Sequence, residues 1–182
     1  MHINKNFFFV EVVDPERGEW VDEGEKGELV ITPLEKKALL LLQYRTGDLS
    51  RLTYEPCRCG RTTARIMKIV GRTDDMLIVR GVNVFPLQID EVLLEVEGVA
   101  SHYQIIVDRQ NNTDFLEVWV EMSDAMFYDE MKRLVDLENL ISDRLFTVLG
   151  LKVKIKLVEP RSIERSQGKA KRIIDKRGIY GK

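Results

Sequence analysis

The hydrophobic rhythm of this chain changes at Gly71, and that change limits its possible folds more than any other feature. Before it, apolar runs are short: residues 7–13, 28–32 and 66–70, with a further run at 39–44. Asp14-Pro15-Glu16-Arg17-Gly18 and Glu23-Gly24-Glu25-Lys26-Gly27 punctuate them. Short runs between turn-forming clusters read as strands. The first 70 residues are therefore expected to be β-rich, with no convincing helix.

Beyond Gly71 helical and strand patterns alternate. Residues 76–80 and 82–85 form strand-like runs around Gly81, a hairpin or tight loop. Pro86 suits the first turn of a helix, where its missing N–H costs nothing. Ile89, Val92, Leu93 and Val96 follow at amphipathic spacing, and Gly98 is the expected stop. Strands are expected at 103–108 and 115–121, around the turn Gln110-Asn111-Asn112. Ser123 or Asp124 then caps a long helix with Phe127, Met131, Leu134, Ile141, Leu145 and Val148 on one side. Residues 151–158 alternate strictly between apolar side chains and lysines, a half-buried strand with one wet face. The predicted fold class is α+β: a β-rich region over 1–71, then a small α+β domain over 72–182. That second domain would hold a three-stranded sheet with helices plus a short hairpin.

Charge narrows the function. Lys and Arg total 28 against 30 Asp and Glu, which gives no broad attraction to nucleic acid or an anionic membrane. Residues 161–182 are locally basic, with eight Lys or Arg side chains. No apolar run is long enough to span a bilayer, and no secretory signal pattern occurs. A cytoplasmic location follows as the default.

Three segments carry chemistry. In Tyr44-Arg45-Thr46-Gly47-Asp48 a carboxylate after a glycine turn can accept hydrogen bonds from two adjacent hydroxyls, as on a ribose. Alone, such a carboxylate is more often a cap or a solvated group. Gly71-Arg72-Thr73-Asp74-Asp75-Met76 is polar and uncommitted to a core, which suits a hinge or an ordinary surface loop. In Arg165-Ser166-Gln167-Gly168-Lys169-Ala170-Lys171-Arg172 a lysine follows glycine in a basic segment. It could reach a phosphate and stabilise charge there, although a single Gly-Lys pair usually faces solvent.

Together, in this order, the three segments resemble the later motifs of the adenylate-forming superfamily of acyl-CoA synthetases, luciferases and peptide-synthetase adenylation domains. Asp74-Asp75-Met76-Leu77-Ile78, Arg80-Gly81-Val82-Asn83-Val84-Phe85-Pro86 and Ile173-Ile174-Asp175-Lys176-Arg177 are similar to the phenylacetate–CoA ligase branch. The resemblance covers essentially the whole chain. It implies the carboxyl-terminal part of an ATP-dependent acid–thiol ligase, with 1–71 as the end of the large AMP-binding domain and 72–182 as its mobile C-terminal domain. ATP or AMP with Mg, an aryl acid and CoA would be its small-molecule partners, and phenylacetate catabolism its setting. A homodimer is compatible with it, and neither nucleic acid nor membrane is implied.

By the same resemblance, Asp48 holds the ribose hydroxyls and Arg72 lies near the nucleotide. Asp74 is the hinge, and Lys169 bridges carboxylate and α-phosphate during acyl-AMP formation. Arg80, Gly81 and Val82 line the path of the pantetheine thiol. The chain departs from the branch at Gly47, where an arginine is implied. It also has no Ser/Thr/Gly-rich phosphate-binding loop ahead of Asp48 and no traceable substrate pocket. Independent catalysis is therefore not expected, and a stand-alone nucleotide-binding or interaction module derived from the family is the alternative.

Two cysteines stand one residue apart in Cys57-Arg58-Cys59-Gly60, a spacing that makes a poor structural disulfide. Two thiolates and an imidazole can serve Zn²⁺, which prefers four ligands in a structural site. The resemblance implies such a metal at Cys57, Cys59 and His2. Two reduced cysteines in a loop is the competing reading. His102 reads as a strand-start residue without a role.

Overall fold

The computed structural model describes residues 1–127, 131–165 and 172–179, and the chain divides into two compact units, Met1–Met76 and Leu77–Lys182. The first unit is β-rich, as expected. Strands β1 (Phe8–Val13), β2 (Gly27–Pro33), β3 (Tyr44–Ser50) and β6 (Gly71–Arg72) form an antiparallel sheet in the order β1-β2-β3-β6. Between them, β4 (Leu52–Thr53) and β5 (Arg65–Ile66) make a separate two-stranded ribbon. Val12, Leu29, Leu52 and Ile66 pack as the buried apolar cluster between the sheet and this ribbon.

The apolar run at 39–44 is not the expected strand. Pairing begins only at Tyr44, and Leu39, Leu40 and Leu42 are exposed. A run of leucines lacks the β-branched side chains that suit a pleated surface. Of the expected strand at 66–70, Ile66 alone is paired, at the end of β5, and residues 67–70 form the link to β6.

In the second unit β7 (Leu77–Val79) and β8 (Val82–Val84) form a hairpin. Its two turn residues, Arg80 and Gly81, both have positive φ, of 51° and 78°. This turn geometry matches the natural twist of paired strands. Helix α1 (Pro86–Leu94) starts with Phe85 extended, its N–H donating to Gln88 Oε1 at 3.1 Å. The helix ends four residues before Gly98, yet Val96 is still buried with Ile89, Val92 and Leu93.

Strands β9 (Val99–Gln110) and β10 (Thr113–Met122) form a long hairpin turned by Asn111 and Asn112, both at positive φ. Helices α2 (Asp124–Phe127) and α3 (Met131–Leu149) lead to β11 (Lys154–Val158), parallel to β10. The sheet has four strands rather than three, in the order β11-β10-β9-β12. Its fourth, β12 (Ile173–Asp175), runs parallel to β9 and leads to a 3-10 turn at Arg177–Ile179.

One side of this sheet packs on α1, α3 and the β7–β8 hairpin through Val79, Val84, Ile89, Ile105, Val107, Val118, Val120, Ile141 and Leu145. The buried line on α3 is Leu137, Ile141, Leu145 and Leu149, whereas Met131 and Val148 are exposed. The side chain of Phe127 lies outside those described. Each step of four residues rotates about 40° around a helix. A line following such steps therefore leaves the expected straight stripe, passing through 149 rather than 148.

Candidate functional site

Strand pairing sets Asp48 opposite Arg72. Asp48 follows Gly47, whose φ is +77° and whose N–H donates to Glu28 Oε1 at 3.0 Å. Arg72 Nη1 reaches Asp48 Oδ1 at 2.7 Å. The rest of its fork grips Asp74, with Nε to Oδ1 at 2.9 Å and Nη2 to Oδ2 at 3.0 Å. Hydrogen bonding to Asp74 is the main cause holding the Arg72 guanidinium in its charged form, against desolvation, with the Asp74 and Asp48 charges adding.

A Cβ on Gly47 would lie 2.9 Å from Arg72 Nη2, so a larger residue there has to move the arginine. Thr73 N–H donates to Gly47 O at 2.7 Å, closing the group. Among the described residues, Asp48 Oδ2 accepts no hydrogen bond from the protein. The half-buried carboxylate thus keeps one oxygen for outside donors, next to a fixed cation.

The proposed thiol-path residues Arg80, Gly81 and Val82 lie at the tip of the β7–β8 hairpin. Leu77, Val79 and Val84 anchor the hairpin in the core, while Gly81 faces open space. Arg80 points away from the glycine: its Nε donates to Asp114 O at 2.6 Å, and its guanidinium lies 5.1 Å from the centre of the Phe115 ring.

His2, Cys57 and Cys59 bring their donor atoms within 4.8 Å of one another. Cys59 Sγ lies 3.2 Å from His2 Nε2 and 3.3 Å from Cys57 Sγ. His2 Nδ1 sits 3.1 Å from both Thr63 O and Thr63 Oγ1, which orients the ring with Nε2 toward the sulfurs. Hydrogen bonds from the Cys59 backbone, the Cys59 thiol and His2 lower the Cys57 thiol to about 6. Two acidic or exposed sulfurs and an oriented imidazole fit three corners of a tetrahedral zinc site. They do not supply the fourth.

Lys169 lies outside the described residues, within 166–171, but both flanks are anchored. Arg165 pairs with Glu121 at 2.7 Å, and Glu121 Oε1 also accepts the Ile163 N–H at 2.8 Å. Arg172 Nη1 reaches Asp90 at 3.0 Å and the Tyr103 hydroxyl at 3.1 Å. Burial, ahead of the Asp90 charge, pushes Tyr103 up to about 12.

Sequence reasoning missed Glu121, Asp90 and Tyr103 in these roles. Only Glu121 left a trace, as an acid inside the apolar pattern of β10, where its side chain is 1% exposed. Nδ1 of the exposed His102 lies 3.4 Å from the neighbouring Ser101 hydroxyl.

Known proteins align with this arrangement along its length. The phenylacetate-coenzyme A ligase of Thermus thermophilus is 45% identical, over 97% of this chain and 42% of the relative. That of Escherichia coli K12 is 38% identical, over 97% and 40%. The chain thus spans about two fifths of the length of these curated relatives.

A crystal structure of 2-hydroxyisobutyryl-CoA ligase in the postadenylation state, with R3-HIB-AMP, is 34% identical. It matches 97% of this chain and 37% of its own, with a TM-score of 0.85. A domain of phenylacetate-coenzyme A ligase from Bacteroides vulgatus is 35% identical, covering 57% of this chain and 94% of its own, with a TM-score of 0.53. Residues 81–177 match the family described as AMP-binding enzyme C-terminal domain, and the chain belongs to that family.

Proposed function

We propose that this chain is the carboxyl-terminal part of an ATP-dependent carboxylate–CoA ligase whose acid is phenylacetate. The reaction is phenylacetate plus ATP and CoA giving phenylacetyl-CoA, AMP and pyrophosphate through an acyl-AMP. The observation that carries the nucleotide part of this reading is the Asp48–Arg72–Asp74 cluster, and the acid is taken from the phenylacetate-coenzyme A ligases that the chain matches. The cluster offers a free carboxylate oxygen for two ribose hydroxyls and holds a guanidinium beside it for ribose or phosphate oxygens. Mg²⁺ would accompany the ATP phosphates.

Asp74 lies two residues before the division between the units, where a hinge belongs. In this reading residues 1–71 belong to the AMP-binding domain, and 72–182 form a mobile domain. That domain offers Lys169 for adenylation and the Gly81 hairpin for thioester formation. Exchanging the two elements at one site separates two chemistries. Zn²⁺ on His2, Cys57 and Cys59 would be structural, fixing the loop at 57–60 to the chain start. Its fourth ligand would come from outside these three.

The test joins the amino-terminal portion of the Thermus relative, which this chain does not cover, to residues 1–182. The product should form phenylacetyl-AMP and then phenylacetyl-CoA. Lys169→Ala should slow acyl-AMP formation by roughly 100-fold or more, losing charge stabilisation at the reacting phosphate. It should spare transfer to CoA from preformed acyl-AMP. Equal loss of both steps would refute the division of labour. AMP binding without any phenylacetate-dependent pyrophosphate release would favour a stand-alone nucleotide-binding module.

A further inference from the structure

We infer that Arg177 and Asp114 are positioning residues for the Gly81 hairpin, needed for thioester formation and not for adenylation. The inference rests on the proposed role of Gly81.

A hairpin with three residues per strand is too small to hold its own shape in water. The inward side chains of β7 and β8 fix one face of it, while Ile78 and Asn83 point outward and are exposed. In a two-residue hairpin the pair flanking the turn, Val79 and Val82, exchanges backbone bonds. The next pair, Ile78 and Asn83, then turns its carbonyls and amides away from the partner strand. The Ile78 carbonyl is therefore left over, and Arg177 Nη1 takes it at 2.6 Å.

The same Nη1 also reaches Asp114 Oδ2 at 3.1 Å, and Arg177 Nη2 is held by Asp175 at 2.6 Å. The Arg177 side chain is only 20% exposed. Asp114 acts as a hub. Its carbonyl takes Arg80 from the hairpin tip, Oδ1 takes Arg109 at 2.8 Å and Oδ2 takes Arg177. The hairpin is thus gripped at base and tip by groups converging on one aspartate. Arg80, in a left-handed conformation that a side chain disfavours, is held by the Asp114 carbonyl and by its contact with the Phe115 ring.

Strand β12 links this grip to the Lys169 segment. It begins after Arg172, which is fixed to Asp90 and Tyr103, and ends just before Arg177. The elements serving the two half-reactions are therefore anchored at opposite ends of one short strand. The Arg177 end hydrogen-bonds to the hairpin, through the Ile78 carbonyl.

The experiment has two arms. In the joined ligase described above, Arg177→Ala and Asp114→Asn are compared with the parent and with Gly81→Leu. Transfer is read in a single turnover from enzyme-bound acyl-AMP at saturating CoA, and adenylation from pyrophosphate release. Transfer should fall roughly tenfold or more through misplacement of the hairpin, with adenylation within about twofold of the parent. In the 182-residue chain itself, hydrogen exchange should quicken at residues 77–84 in Arg177→Ala, while the β9–β10 hairpin keeps its protection.

Unchanged exchange at 77–84 would overturn the inference, as would equal loss of both half-reactions or normal transfer beside a damaged Gly81→Leu. Normal transfer in Gly81→Leu would instead overturn the role given to Gly81.

Discussion

In the first unit Val12, Leu29, Leu52 and Ile66 form the buried cluster, whereas nineteen side chains do so among the described residues of the second. The first unit leaves Phe7, Phe9, Trp20, Leu40 and Leu42 about half exposed or more. Polar cross-links supplement its strand ladder: Glu28, 4% exposed, bound to Arg45; Arg72 among its carboxylates; and the His2–Cys57–Cys59 group. In the second unit the apolar core supplies the cohesion. Its charged links, such as Arg177 with Asp114, act on the hairpin instead. Where burial is scarce polar contacts hold the fold together, and where it is plentiful they are free to aim loops.

The contrast can be broken most sharply through the metal. If the first unit is stapled by Zn²⁺, protein purified without a chelating column should carry about one zinc per chain. Chelation, or Cys59→Ser, should destabilise that unit by roughly 5 kcal/mol or more, since metal binding in small sites is coupled to folding. Hydrogen exchange resolves the two units, and residues 77–165 should keep their protection. A metal-free sample with residues 55–66 still protected would remove the staple.

Next in size, Leu145→Ala should cost the second unit about 2–5 kcal/mol by opening a cavity at a fully buried site. Denaturant unfolding monitored by exchange would measure this. An equal loss in the first unit would mean that the two unfold as one. A smaller effect is expected from Gly81→Ala, about 1 kcal/mol of backbone strain at φ +78°, because no atom lies within 4 Å to clash with the methyl group.

The smallest effect concerns acid. Hydrogen bonds from Arg109 hold the Asp114 carboxyl below its usual range, and those from Arg177 do the same for Asp175. A carboxyl lowered on folding stabilises fully above its unfolded value of about 4 and loses that contribution as pH falls toward the folded value. Unfolding of the second unit should therefore ease below about pH 4, and Asp114→Asn should flatten that slope. An unchanged slope would mean that these ion pairs add nothing to the stability of the second unit.

Much of this arrangement was legible in the residues. The face of α1, the β-rich opening, the turn at Arg80-Gly81 and the β9–β10 pair follow from local periodicity and turn chemistry. What escaped depends on partners distant in sequence. Ile173-Ile174-Asp175 is too short to signal a strand within a basic stretch, and it becomes one only because β9 offers an open edge. The contact between Asp48 and Arg72 needs β3 and β6 in register, which no local pattern encodes. The leucines at 39, 40 and 42 misled because apolar character alone does not specify pleating. Arg177 lies within a recognisable motif, but its carbonyl target lies 99 residues away.

The outer edge of β11 has a practical consequence. Leu157 N–H is directed to Glu138 Oε1 at 3.4 Å, and the Val153 carbonyl receives the Ser142 hydroxyl at 3.3 Å, so helix α3 covers part of that open border. Lys154 pairs with Glu117, and Lys156 lies 4.1 Å from the centre of the Trp119 ring, so both lysines reach back over β10 on the polar face of the sheet. A sheet finished in this way offers little for a second copy to zip onto. A strand added at this border would first have to displace the α3 contacts at Leu157 and Val153.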